Sequence, residues 1–193
     1  MCRVDTCRPF EILARYFPLD SNGYRVIVAH SVLVAHEALE IARRYVEIHP
    51  DTKIDFAFIE EASLLHDIGV CRTNATSIGG SGEAPYICHG VLGREVLDAE
   101  GWPLHALVCE RHTGSGITKE DVLRQQLPLP ERDYLPKTLE EKIICVADKF
   151  FGKKPSRLWV KGSVDRIERQ LGRFGDGPLQ RWEELKREFL CCD

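Results

Sequence analysis

His66 and Asp67, in the run Ala62-Ser-Leu-Leu-His-Asp-Ile-Gly69, set a neutral nitrogen donor beside a carboxylate at the end of an apolar helical segment. Adjacent side chains on a helix point about 100° apart, so the pair shares no face. The two converge on one ion only by leaning inward from the last turn, and Gly69 is expected to stop the helix behind them. Two ionisable groups ending a burial-prone segment are costly unless a metal or a partner compensates them.

Four further residues share that character. His30 lies in Ala29-His-Ser-Val-Leu-Val-Ala-His36 and His89 in Pro85-Tyr-Ile-Cys-His-Gly90. His112 lies in Cys109-Glu-Arg-His-Thr-Gly114, and Asp148 in the apolar stretch Ile143-Ile-Cys-Val-Ala-Asp-Lys149. Taken singly, each is better explained by a satisfied core or cap role. As a set, four imidazoles and two carboxylates suit iron, manganese, zinc or cobalt. A bridging carboxylate can hold two such ions about 3.5–4 Å apart.

The other three histidines fit blander roles. His36 falls about 240° around the helix from His30, and His49 ends that helix beside Pro50. His105 is about 10 Å along the helix from His112, too far to share an ion. Glu60 or Glu61 could support a ligand imidazole, with a surface role as the default. Lys149 could reach a substrate phosphate as a point charge or be a solvated helix lysine, and Arg111 and Thr113 could line the site beside His112, with surface or cap roles favoured for both. Gly79-Gly-Ser-Gly82 lacks the lysine of a phosphate-binding loop, so it reads as a lid or plain loop.

The elements that must position these residues are helices. Ile27, Leu33, Val34, Ala38, Ile41, Tyr45 and Ile48 recur at three- and four-residue steps, predicting a long helix from about Tyr24 to His49. Further helices are predicted over about Ile54–Asp67, Tyr86–Glu100, Pro103–His112 and Thr138–Phe151, with loops between. Thr118-Lys-Glu-Asp121 reads as a capping box opening a short helix. Two more amphipathic helices follow, near Ser163–Leu171 and Pro178–Leu190. The pattern predicts one all-α domain over residues 1–193, with a metal-binding core at about 24–151 and a C-terminal helical extension at about 160–191. The extension, with Trp159, Trp182 and Phe189, is expected to cover the bundle, a homodimer contact being the alternative.

Composition narrows the class. The chain has 193 residues and a net charge of −4, which argues against nucleic acid as the main partner. No apolar run approaches the roughly 20 residues of a membrane span, and the N-terminus lacks a signal core. A cytoplasmic location is therefore expected. Cys71, Cys88, Cys109 and Cys145 read as reduced, buried thiols. Cys2, Cys7, Cys191 and Cys192 sit at the two ends without the usual zinc-ligand spacing, so a four-thiolate site is disfavoured.

The order His30, His66-Asp67 within His-Asp-Ile-Gly, His89, His112, Asp148 resembles the HD superfamily of metal-dependent phosphohydrolases, in its dinuclear H…HD…H…H…D branch. The resemblance covers about Tyr24 to Phe151. It implies an HD-type helical bundle and two divalent transition-metal ions. His30, His66, Asp67 and Asp148 would hold one ion, and His89 and His112 the other, with Asp67 bridging. Many members carry Lys or Arg directly after His-Asp-Ile-Gly, where this chain has Val70; Arg72, two residues on, is the expected substitute. The implied reaction is hydrolysis of a phosphate ester or anhydride, in a small phosphorylated substrate of nucleotide type. Attack would come from a metal-activated hydroxide, with Asp67, Lys149 and Arg72 as catalytic residues. Some di-iron oxygenases share the ligand order, and a non-catalytic metal- or nucleotide-binding module is a third reading.

Overall fold

A computed structural model describes residues 7–191 of the chain. Its elements are helices, with no strand among the described residues. They are α1 (Cys7–Tyr16), α2 (Asn22–Ile48), α3 (Phe56–Leu65), α4 (His89–Ala99), α5 (Pro103–Arg111), α6 (Lys119–Arg124), α7 (Leu139–Lys149), α8 (Pro155–Leu158), α9 (Val164–Leu171) and α10 (Asp176–Phe189). None is long and apolar enough to cross a membrane.

Helix starts follow local chemistry. Ser21 Oγ accepts from the Tyr24 amide at 3.0 Å to cap α2, and Asp55 accepts from Phe58 at 2.9 Å to cap α3. The Thr118–Asp121 box forms as read: Asp121 N–H donates to Thr118 Oγ1 at 3.0 Å, and Thr118 N–H donates to the Asp121 carboxylate at 3.2 Å. No helix is predicted at α1 or α8: α8, with four residues, is too short for a period to emerge, whereas α1, at ten residues as long as α3, is missed.

Two apolar clusters make the core. One joins Leu13, Phe17, Ile27, Leu65, Ile68 and Leu97. The other joins Val34, Ile41, Ile59, Ile143, Ile144 and Trp182. Helix α2 feeds both, with Ile27 in the first and Val34 in the second, and His30 falls between them in sequence. The C-terminal helices cover the bundle, since Trp182 and Phe189 are buried in the second cluster while Trp159 is exposed. The four internal cysteines are free and buried; Cys191 is exposed, and Cys2 and Cys192 lie outside the described residues.

The loop before α4 is fastened rather than lid-like. Ser81 and Gly82 amides donate to the Cys71 and Thr73 carbonyls at 3.1 and 3.0 Å, and Asn74 donates to Ala84 at 2.8 Å. Gly69 has a different purpose from the expected helix stop. Helix α3 already ends at Leu65, and Gly69 sits inside a 3-10 turn over Ile68–Arg72. A Cβ there would lie 2.0 Å from the His89 carbonyl and 2.2 Å from the Gly93 amide nitrogen. Glycine is required because α4 runs against it. Gly69→Ala is expected to destabilise the protein by about 3 kcal/mol, the upper range for overpacking, measured by chemical denaturation.

Candidate metal centre

The six residues singled out above meet in one buried place. His30, His66, Asp67 and Asp148 each offer a ligand atom, all within 4.8 Å of one another, and Asp67, His89 and His112 form a second such group. Asp67 is common to both. All six are buried.

Adjacent His66 and Asp67 converge because the helix ends between them and the core. His66 is the C-cap of α3, and Asp67 leaves helical geometry at φ −106°, ψ 10°. That turn carries Asp67 Oδ2 to 3.1 Å from His66 Nε2 and 3.2 Å from His30 Nε2. Asp148, near the end of α7, brings Oδ1 to 3.0 Å from His30 Nε2. On the other side, His89 opens α4 and His112 caps α5, and their Nε2 atoms lie 3.0 Å apart.

The tautomers follow from the backbone. Nδ1 of His66, His89 and His112 lies 2.6, 2.7 and 2.8 Å from the carbonyl oxygens of Ser63, Tyr86 and Cys109. A carbonyl only accepts, so each Nδ1 carries a proton; the neutral rings of His89 and His112 turn their Nε2 lone pairs to the centre, and His66 does so once its Nε2 proton is lost. Tyr86 stacks on the His89 ring at 4.6 Å and fixes its plane further.

Asp67 Oδ1 is buried without a hydrogen-bond partner, Asp67 Oδ2 is balanced by the Lys153 ammonium, and the facing Nε2 lone pairs of His89 and His112 repel one another. A divalent cation relieves both conditions, so the donor set fits one. Electrostatics agree. Burial pushes the Asp67 carboxyl up, but Lys153, then His66 and the other imidazoles, hold it well below the carboxylate range. Asp148 is treated likewise, with Lys149 and Lys153 outweighing burial. Burial and His112 lower His89 to about 3, so it is neutral and ready to donate a lone pair. His66 goes the other way: Asp67 and Asp148 overcome burial and raise it to about 9.

Lys153 is the residue that sequence reasoning missed. Its Nζ lies 2.6 Å from Asp67 Oδ2. Burial alone would lower its pKa, but Asp67, Tyr86 and Asp148 raise it instead. The only local signal was a pair of lysines between Gly152 and Pro155, directly after the last ligand helix. Lys149 is at the site as read, with Nζ 2.7 Å from Asp148 Oδ2 and donating to the His112 carbonyl at 3.3 Å. Thr113 lines the adjoining cavity, whose volume is about 560 Å³.

Arg72 and Arg111 are not brought to the site. Arg72 is exposed and pairs with Glu95 at 3.1 Å, because the 3-10 turn points it away from Asp67. Arg111 donates to Glu141 at 2.7 Å and ties α5 to α7. His36 and His49 are exposed. Glu61 meets His105 at 3.3 Å.

Comparison with known proteins places this geometry. The HD domain model matches residues 27–151, and the chain belongs to that family. An uncharacterized protein of Methanocaldococcus jannaschii is 38% identical over 149 residues, covering 76% of this chain and 78% of its own. Two tRNA (cytidine(56)-2′-O)-methyltransferases, from Picrophilus torridus and Thermoplasma volcanium, are each 32% identical over 70% and 75% of this chain. This chain spans 37% of the length of each of those two. No solved structure gives a significant match.

Proposed function

We propose that the protein is a metal-dependent phosphohydrolase acting on a phosphate ester or anhydride of a nucleotide. The observation that carries this reading is Asp67, a buried carboxylate shared by two ligand groups, whose Oδ1 has no hydrogen-bond partner. His30, His66, Asp67 and Asp148 would hold one divalent ion, and Asp67, His89 and His112 a second. Ions so held supply Lewis acidity and lower the pKa of water to near neutrality.

The chain's own residues do the rest. The three Nδ1-anchored imidazoles keep their lone pairs aimed without reorganisation. Lys149 braces Asp148 against the His112 carbonyl while lining the cavity, where its charge faces an incoming phosphate. Lys153 lines the same cavity, and its ammonium is the cation best placed to take the charge that builds on a phosphoryl oxygen. The cavity volume, about 560 Å³, falls in the range for nucleotide-sized ligands. The names of the two tRNA methyltransferase relatives support nucleotide chemistry as the setting.

The test is a phosphate-release screen over mononucleotides, cyclic nucleotides and dinucleoside polyphosphates with manganese, cobalt or iron added. Metal-dependent release from at least one class is expected. No release from any class by protein holding stoichiometric metal would overturn the proposal, and iron-dependent oxygen uptake instead would establish the oxygenase reading.

A further inference from the structure

The cavity wall beyond the metal centre carries more positive charge than the reaction centre uses. Six cationic side chains line it, Lys149, Lys153, Lys154, Arg157, Arg166 and Arg181, against the two carboxylates of Asp121 and Asp148. The chain as a whole carries a net charge of −4, so the balance of charge on this wall is opposite in sign to that of the chain. Three of the six are committed: Lys149 to Asp148, Lys153 to Asp67 and Arg181 to Asp121.

Lys154, Arg157 and Arg166 differ. None forms an ion pair with a carboxylate among the described residues. Arg166 Nε is buried without a hydrogen-bond partner, a costly state for a guanidinium unless a ligand completes it. Gly162 lies against the same group. A Cβ on Gly162 would lie 2.7 Å from Arg166 Cζ and 2.9 Å from Nη2, so the glycine leaves the space the guanidinium fills. Apolar side chains of Ile87, Ile117 and Leu171 line the same cavity and suit a flat, uncharged part of a ligand.

We propose that Lys154, Arg157 and Arg166 form a second anion subsite, which takes a second phosphate of the substrate whose first phosphate reaches the metal centre. The subsite rests on the phosphohydrolase reading. Planar guanidinium groups bind phosphate through paired N–H donors, and an adjacent lysine adds charge. The second phosphate has two sources with one chemistry: a nucleoside bisphosphate, or the neighbouring phosphodiester in a short RNA.

The experiment is isothermal titration of the purified full chain with adenosine 5′-monophosphate, adenosine 3′,5′-bisphosphate and the 5′-phosphorylated diadenylate. Ligand integrity is checked by chromatography. The bisphosphate should bind at least ~tenfold more tightly than the monophosphate, a gain of one good charge-assisted contact. Arg166→Gln and Gly162→Ala should each cut that gain to less than about threefold, with metal content and thermal unfolding recorded for both. Arg166→Lys should keep part of it. An equal gain with the diadenylate assigns the phosphate to RNA, and a gain with the bisphosphate alone assigns it to free nucleotides. Equal binding of mono- and bisphosphate by the unaltered chain, or a gain that survives in both variants, would overturn the subsite. Phosphate release without a bisphosphate preference removes the subsite and leaves the phosphohydrolase; a preference without phosphate release does the reverse.

Discussion

Asp67→Ala is expected to lose bound divalent metal, and phosphate release should fall to background, at least about a thousandfold. Asp67 is the single donor common to both ligand groups, so its removal weakens two sites at once. Replacing a residue that only supports a ligand already costs about 10–100-fold in metal affinity, and loss of a shared ligand costs more. The charge balance also suffers. Lys153 Nζ, 2.6 Å from Asp67 Oδ2, would be left buried beside a methyl group. Breaking one side of a buried ion pair typically costs about 3–5 kcal/mol, so the metal-free variant should unfold at lower denaturant. Asp67→Asn separates the effects, because it keeps the side-chain shape and removes only the charge. Metal content by mass spectrometry decides the matter. Stoichiometric metal in a folded Asp67→Asn protein would refute the shared-ligand role.

Lys153→Met should move two properties in opposite directions. In the metal-free protein the Lys153 ammonium compensates the Asp67 charge, so a divalent ion must compete with it. Removing that competitor should tighten metal binding by about tenfold, equivalent to roughly 1.4 kcal/mol. The same change removes the cation proposed to face the phosphoryl group, and turnover should fall by about a hundredfold. A lysine with only a packing role would not split the two readouts in this way. Tighter binding without a loss of turnover would rule out its part in the reaction.

The pH dependence of metal uptake comes from His66 within the same cluster. Its folded value is raised to about 9 from an ordinary value of 6.5. Protonated His66 thus stabilises the metal-free fold fully below pH 6.5, and that contribution is lost as pH rises through about 9. Metal coordination needs the neutral ring, so uptake between pH 6.5 and 9 must expel the His66 proton. Apparent metal affinity should climb by about tenfold per pH unit across that window and level off above it. Titrations in two buffers of different ionisation enthalpy would count the proton, and uptake at pH 7 with no proton released would refute the assignment.

Much of the fold was legible because its signals are local. Spacing of Ile27, Val34, Ala38 and Ile41 marks α2, and Ser21, Asp55, Thr118 and Thr138 cap helices through bonds to amides three residues on. The donor set was legible too, since imidazoles and carboxylates in apolar helical contexts are expensive without a common purpose. Gly69 shows the limit. Its position after the motif suggested a helix stop, whereas its need comes from the backbone of α4, twenty residues further along the chain.

Residue type, order and helical setting therefore determined the six donors around His66-Asp67. What only the tertiary structure decided was which charges stand beside them. Lys153 reaches Asp67 because the chain reverses after α7, where the Gly162 amide donates to the Phe150 carbonyl at 2.6 Å. Arg72, as close to a ligand in sequence as Lys153, and Arg111, adjacent to one, turn instead to Glu95 and Glu141. Helical periodicity and capping act over a few residues and can be read from a string. The place of a long cationic side chain depends on how distant turns bring carboxylates within its reach, and only the folded chain sets that.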